Sequence, residues 1–448
     1  MKSSDAVATI RRVSAMAALV AATLATGYAM GETYNDGTIK WTYSIIDETS
    51  KSVEIETAES AVYIGKIAGD VIVPGNVDGY TVTSIGDSAF YNCCALYSVT
   101  IPDSVKFIGD SAFYLCFNLE SVTFGNSVTR IGNRAFYLCI GLTSVTIPDS
   151  VTSIGDRAFD GCSGLTSVTI VNAVTSIGAS AFSGCTGLTS VTMGDGVTSI
   201  GASAFSGCTG LTSVTIPGSV KTIGGSAFYN CSALEKVEIS EGVVTIGSGA
   251  FRTCSSLTGF RIPDSVESIG ESAFHGCGSL KSVIIPDGVK SIGYKAFFDC
   301  TELKSVTVPQ VVCSSRMSQI FSTYKTIANV VISSGVTSIG EYAFQGCKGM
   351  TSVTIPDSVT SIGDYAFRDC AGLTELALPC SVKTVGKSAF ENCSGLTNLL
   401  LPEGLAAIGE YAFYDCGGLT SVTIPDSVAS IGVSAFERCG ALRNVYVS

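Results

Sequence analysis

The dipeptide Ala-Phe returns along this chain with a constant step. It recurs every 23 residues from Phe90 to Phe297, in ten copies, and in five more from Phe344 to Phe436. A fixed period of that length is the mark of a solenoid, because one such unit cannot bury its own apolar side and must lean on the next copy. It overrides the length prior, by which 448 residues would suggest about three domains. Phe297 and Phe344 are 47 residues apart, two periods plus one residue, so a degenerate coil is expected around residues 306–331.

One clear copy, residues 142–164, reads LTSVTIPDSVTSIGDRAFDGCSG. Two short β-branched stretches, residues 145–147 and 151–154, are joined by Pro148-Asp149-Ser150, which has turn chemistry. All eleven prolines fall directly after the first stretch, Pro74 included once a five-residue insertion at 77–81 is allowed. A residue without an N–H is thereby confined to the end of a strand. The segment 156–162 is too short for more than one or two helical turns and is expected to form a short α- or 3₁₀-turn. Leu142, Val145, Ile147, Val151, Ile154, Ala158, Phe159 and Cys162 are the expected inward residues. Stacking at about 4.8 Å per coil closes the ladders and the core together, and about sixteen coils reach roughly 75 to 80 Å.

The recurring IPDSVTSIGxxAFxxCxxLTSV pattern, followed throughout by residues 147–168 and by 355–376 until Glu375 and Leu376, resembles the BspA-type leucine-rich repeats. Those repeats occur in surface and secreted proteins of host-associated bacteria and some parasitic protists. The resemblance covers about residues 81–448. It implies a β-rich solenoid and, as biology, adhesion to host matrix proteins or other cells. The LxxLxL part of ordinary leucine-rich repeats survives as Leu142, Val145 and Ile147, while their Asn ladder is missing.

Residues 1–31 carry Lys2, Arg11 and Arg12, then an apolar, alanine-rich run and the small residues Gly27, Ala29 and Gly31. This reads as a secretory signal peptide, the run being shorter than the roughly 20 residues a bilayer needs. No later segment is long enough to span a membrane, so the mature chain is expected to be secreted or held at the cell surface. Residues 32–80 lack the period and read as strands at 38–46 and 52–63 around a polar turn, an N-terminal hairpin cap plus the first coil. A small separate domain is the alternative, and at under fifty residues it would be short of core.

Charged residues make up 14% of the chain, and 38 acidic against 26 basic side chains give a net charge of -12. With no basic run, nucleic acid is disfavoured as a partner. One His and one Trp leave little for histidine acid/base work or His-containing metal sites. No G-x-S-x-G elbow, Walker loop or H-E-x-x-H occurs, and like groups are spread along a line where catalysis needs unlike groups converging. No enzyme activity, cofactor or metal is therefore expected. His275 reads as a lone surface histidine. Fifteen of the 18 cysteines stand three residues after the repeating Phe and should form a core column of free thiols. Cys94, Cys313 and Cys380 fall outside it.

The centre of the first strand points outward and holds Thr100, Thr123, Thr146, Thr169, Thr192 and Thr215, with a companion rank from Ser98 to Ser213. The ranks either solvate a sheet face or form a repetitive binding surface for an extended partner. They are interrupted at Lys236, Glu238, Arg261 and Ile284, which are candidate partner-binding residues if the change is more than drift among copies. The partner expected is a protein or a glycan, and a carbohydrate-binding accessory is one alternative role. A structural envelope or assembly protein stacking through its ends is another. Its contact would be Leu442, Val445 and Val447, apolar residues of the last unit with no polar layer after them. Pairing of two such ends or docking on another envelope component would cover them; loss of a C-terminal domain from the gene is the third reading.

Overall fold

The computed structural model describes residues 32–60 and 67–447, so the signal-peptide reading, residues 1–31, lies outside the described residues. The chain winds into a β-solenoid of about 17 turns. In each regular coil the first stretch pairs in parallel and in register with the equivalent stretch of the next, as Val145 with Val168 and Thr146 with Thr169. The second stretch does the same, Ile154 opposite Ile177. First stretches from Ala68–Ile72 to Lys236–Ile239 form an eight-stranded sheet. Second stretches belong to a 14-stranded sheet that ends at Ser291–Ile292.

All eight inward residues of the 142–164 copy are buried. The phenylalanine rings stack along the axis at centroid spacings such as 5.1 Å between Phe136 and Phe159 and 5.2 Å between Phe159 and Phe182. The coil spacing required by the strand ladders thus also places rings at offset-stacking distance, and each such pair adds roughly 0.5 to 1.5 kcal/mol beyond its buried area. Gly155 closes the second stretch because a Cβ there would lie 2.6 Å from the carbonyl carbon of Gly132 one coil back.

The third side of the coil is a run of turns. Ala158, Asp160 and Cys162 donate to the carbonyls of Gly155, Arg157 and Phe159, the i to i+3 bonds of a 3₁₀-turn. Arg157 and Gly161, with φ of 56° and 76°, are left-handed and stop the turns from propagating as a helix. The intervening amides are freed to pair along the axis: Arg157, Phe159 and Gly161 donate to Ala179, Ala181 and Ser183 of the next coil at 2.7 to 2.8 Å.

Side chains satisfy carbonyls between the ladders. Thr143 and Thr152 donate to Glu120 and Thr129 of the preceding coil. Each regular core thiol donates to the preceding phenylalanine carbonyl, Cys162 to Phe136 at 3.1 Å. The missing Asn ladder has a short substitute at another place, where Asp110 accepts from the Asn133 amide, Asn133 from Asp156, and Asp156 from Ala179.

At the N-terminus, β1 (Glu32–Asn35), β2 (Ile39–Asp47) and β3 (Ser52–Ser60) are antiparallel neighbours, and β3 continues in parallel into the second-stretch sheet through Tyr80–Ile85. Trp41 meets Phe90 edge-on at 6.2 Å and ends the ring column. The insertion at 77–81 is a tight hairpin turning at Asp78 and Gly79, both with positive φ.

The extra residue of the degenerate coil, with the run 314–324, would be expected to bulge outward, but residues 310–325 pack as two short helices, Gln310–Cys313 and Met317–Ile320, and a 3₁₀ turn, Ser322–Lys325. Met317, Ile320 and Phe321 are buried because the neighbouring coils still need their core covered. Phe321, 24 residues after Phe297, continues the ring stack at 5.3 Å, so the extra residue is absorbed in the helical turns. The first-stretch ladder runs through this coil unbroken, Ser305–Val308 pairing with Asn329–Ile332.

Candidate binding surface

The outward Thr and Ser ranks are exposed along the eight-stranded sheet, and their regularity ends with that sheet. After Lys236–Ile239 the next coil contributes no strand, only an isolated bridge from Lys236 to Gly259. The cause is local. Phe260 occupies the inward position that other coils give to Val or Leu, stacks on Phe274 at 4.5 Å and stays half-buried. A ring in a valine-sized place holds the backbone off the ladder, and Gly259 beside it has low strand propensity. Pairing resumes at Ser282–Ile284, the first strand of a four-stranded sheet.

Lys236 and Glu238 stand on the last strand before the break, Arg261 within it, and Ile284 on the first strand after it. The structure divides them. Lys236 Nζ lies 2.7 Å from Glu238 Oε1, and this hydrogen bond, together with the charge of Lys236, holds the Glu238 carboxyl below its usual range. Arg261 bridges Glu241 at 3.1 Å and Asp264 at 3.0 Å. Partial burial pushes the Glu241 carboxyl up, but the amides of Asp264 and Ser265 and the Arg261 charge outweigh it and leave it lowered. Charges expected to await a partner are largely matched within the chain.

Arg261 and Ile284 line a groove of about 390 Å³ together with Phe260, Asp287, Thr307 and Ser333. Ile284 is 65% exposed. Ser333 hydrogen-bonds Asp287 across two coils. Lys236 and Glu238 lie outside the groove lining. Phe260 was missed in the sequence because a Val-to-Phe exchange leaves the apolar pattern intact; its size at an otherwise aliphatic position was the available signal. His275 is half-buried at the surface, with Nε2 3.4 Å from Asp299 Oδ2 and, among the described residues, Nδ1 without a partner.

In the last described coil, Val445 and Val447 are 59% and 78% exposed, whereas Val422 and Ile424 one coil earlier are buried. Leu442 is half-buried against the core. All 18 cysteines are free thiols; Cys380 is exposed, Cys94 and Cys439 half-buried, and the rest buried. Among the described residues no group of three His, Cys, Asp or Glu could hold a metal ion, and no helix is long and apolar enough to cross a membrane.

The coil geometry has known counterparts. A leucine-rich repeat protein from Bacteroides ovatus superposes with a TM-score of 0.58 at 30% identity, covering 88% of this chain and 98% of that one. A leucine rich cell surface protein from Faecalibacterium prausnitzii is 27% identical over 94% of this chain and 96% of its own, with a TM-score of 0.29. No curated protein matches. The BspA type leucine rich repeat region, a six-copy pattern, matches residues 83–212, 198–323 and 314–443. With that pattern spanning nearly the whole solenoid, the chain belongs to the BspA-type leucine-rich repeat family.

Proposed function

We propose that this protein is a non-catalytic binding scaffold, secreted or displayed at the cell surface, that docks a protein partner on its first-strand face where the ladder breaks. The observation that carries the reading is the groove between Phe260 and Ile284, an apolar opening that follows directly on the hydroxyl-clad eight-stranded sheet. Binding energy concentrates where an apolar anchor is surrounded by groups that exclude water, and Ile284 with its flanking charge pairs has that form. Lys236 and Glu238 form a polar rim on one side. The family resemblance supplies the partner class, host matrix proteins or cell surfaces. Residues 1–31, read as a signal peptide, support export.

The test is adhesion of the purified chain to immobilised matrix proteins and cultured cells. A variant with Lys236, Glu238, Arg261 and Ile284 all replaced by Thr restores the hydroxyl rank. Losing an apolar anchor and its rim should weaken binding about tenfold or more. Undiminished binding would move the partner elsewhere. Fractionating the native cells and finding the chain only in cytosol would overturn the display reading.

A further inference from the structure

The turn side of the solenoid is not uniform. At its outer position, one residue past the core Phe, the first coils carry Tyr91, Tyr114 and Tyr137, which stack on one another at 5.2 and 4.7 Å. Rings at this position therefore lie across the axis and turn their faces toward neighbouring coils. The same position later holds Ser183, Ser206, Tyr229 and Arg252 in succession. Tyr229 has no ring partner among the described residues. The Arg252 guanidinium lies over it at 6.0 Å, and on the preceding coil stands Ser206, too short to cover a ring.

That uncovered tyrosine borders a hollow of about 450 Å³, lined among others by Ser203, Ser206 and Ser226, with Arg252 and Glu271 at its side. Among the described residues the hydroxyls of those three serines make no hydrogen bond. The threonines beside the strands differ, since Thr166, Thr189, Thr198 and Thr212 each donate to the carbonyl one coil back. Among the described residues Arg252 and Glu271 form no ion pair, unlike Arg261, Lys290 and Lys387 on the same molecule. An open ring face, a planar donor fork, a carboxylate acceptor and three unspent hydroxyls thus share one concavity.

We propose that this hollow is a saccharide-binding subsite, separate from the protein-docking groove on the first-strand face. A pyranose has one face of C–H groups, which suits the open side of Tyr229, and a rim of hydroxyls that need both donors and acceptors. Arg252 supplies the donors in a fixed fork, Glu271 the acceptors, and the serines either. Because Glu271 shares the rim with Arg252, a neutral sugar is favoured over a sialic or uronic acid. Two copies of such a contact on a long glycan, or many chains on one surface, would raise a weak single-site affinity through multivalency.

Saturation-transfer NMR on the purified full chain tests this with trisaccharides of glucose, xylose and N-acetylglucosamine, methyl galactoside, glucuronic acid and N-acetylneuraminic acid. Transfer to the ring protons of at least one neutral sugar is expected. Ser206→Tyr is the informative variant, because it recreates the stacked column seen from Tyr91 to Tyr137 and closes the ring face without disturbing the coil. It and Arg252→Ala should each weaken binding about tenfold, the scale of a lost hydrogen bond to a charged group. Ile284→Thr should leave sugar binding unchanged, which separates this site from the docking groove. No transfer to any neutral sugar, or equal transfer in Ser206→Tyr, would overturn the proposal, and stronger transfer to the two acidic sugars would overturn the neutral assignment.

Discussion

Each regular core cysteine gives its single hydrogen to the phenylalanine carbonyl of the preceding coil, as Cys185 does to Phe159 and Cys208 to Phe182 at 3.2 Å. That bond orients the sulfur within the backbone layer and leaves the column without disulfides. Burial pushes the thiols up, to about 12 for Cys231 and Cys300, so almost no thiolate is present at neutral pH to react. In native protein a disulfide reagent should therefore modify the exposed Cys380 first and the half-buried Cys94 more slowly, while denaturation without reductant should release 18 titratable thiols. Recovery of six or more disulfides would contradict this account. Asp36 offers a second residue-scale test. Partial burial would raise its carboxyl, but hydrogen bonds from the Trp41 indole, the Ile39 and Thr38 amides and the Thr38 hydroxyl outweigh that and bring it from 3.8 to about 2. A group lowered in the folded state lends stability that is complete above the unfolded value, and that stability disappears as pH falls through the folded one. Trp41 is the chain's only tryptophan and is fully buried against Phe90, so its emission reports this cap. The emission should shift red between about pH 4 and pH 2, and Asp36→Ala should show part of the shift at neutral pH. An unchanged spectrum in that variant would remove the carboxylate from the cap's support.

At the scale of elements, the degenerate coil shows how the solenoid crosses a lost strand. The second-stretch ladder stops at Ser291–Ile292 and restarts at Ser338–Ile339, with the helix Gln310–Cys313 between them. Gln310 replaces the missing peptide group with its side chain: Oε1 accepts from the Thr337 amide and Nε2 donates to the Ser338 carbonyl, both at 2.9 Å. Gln310→Leu leaves one donor and one acceptor at a partly covered edge and should cost about 1 to 3 kcal/mol, read from the denaturation midpoint. Hydrogen exchange at Thr337 should accelerate in the same variant. Gln310→Glu keeps the acceptor, so it should preserve the Thr337 protection while losing the bond to Ser338. Equal protection at Thr337 in the wild type and Gln310→Leu would show that the amide is held by something else. The regular coils were legible because one ring and one thiol per 23 residues, with a proline at the same place in eleven coils, announce the stacking axis. Phe321 was not, since a one-residue offset hides it from the period, and no periodicity reveals an amide standing in for a strand. The binding surface was legible to the same limited degree. Arg261 and Ile284 break an outward rank that can be read by alternation, whereas Phe260 acts through volume on the inward side.

Across the whole molecule the interruptions are offset. The first-stretch ladder opens between residues 239 and 282, where the 14-stranded sheet continues, and again between 354 and 375 and between 400 and 421, where the five-stranded sheet continues; the second-stretch ladder opens between 292 and 338, where the four-stranded sheet continues. No single plane cuts both sheets at any of these places, so neighbouring coils remain tied to one another while one face is free to depart from the repeat. That continuity ends at the last described coil. Its strand Asn444–Val447 pairs with Ser421–Ile424 on one side only, and Val445 and Val447 show the faces that every earlier coil covers. Covering a valine side chain contributes roughly 1.5 to 3 kcal/mol, and an open strand edge adds unpaired amides and carbonyls. We propose that a second copy would meet both needs, since a twofold axis across this coil would set the two strands antiparallel with valine against valine. Leu442, half-buried beneath them, would contribute less. The purified chain should accordingly sediment with a concentration-dependent mass, and Val445→Lys with Val447→Lys should shift it toward monomer by placing like charges across the axis. A strict monomer at high micromolar concentration would refute pairing through this end, and association untouched by the two lysines would assign it to another surface.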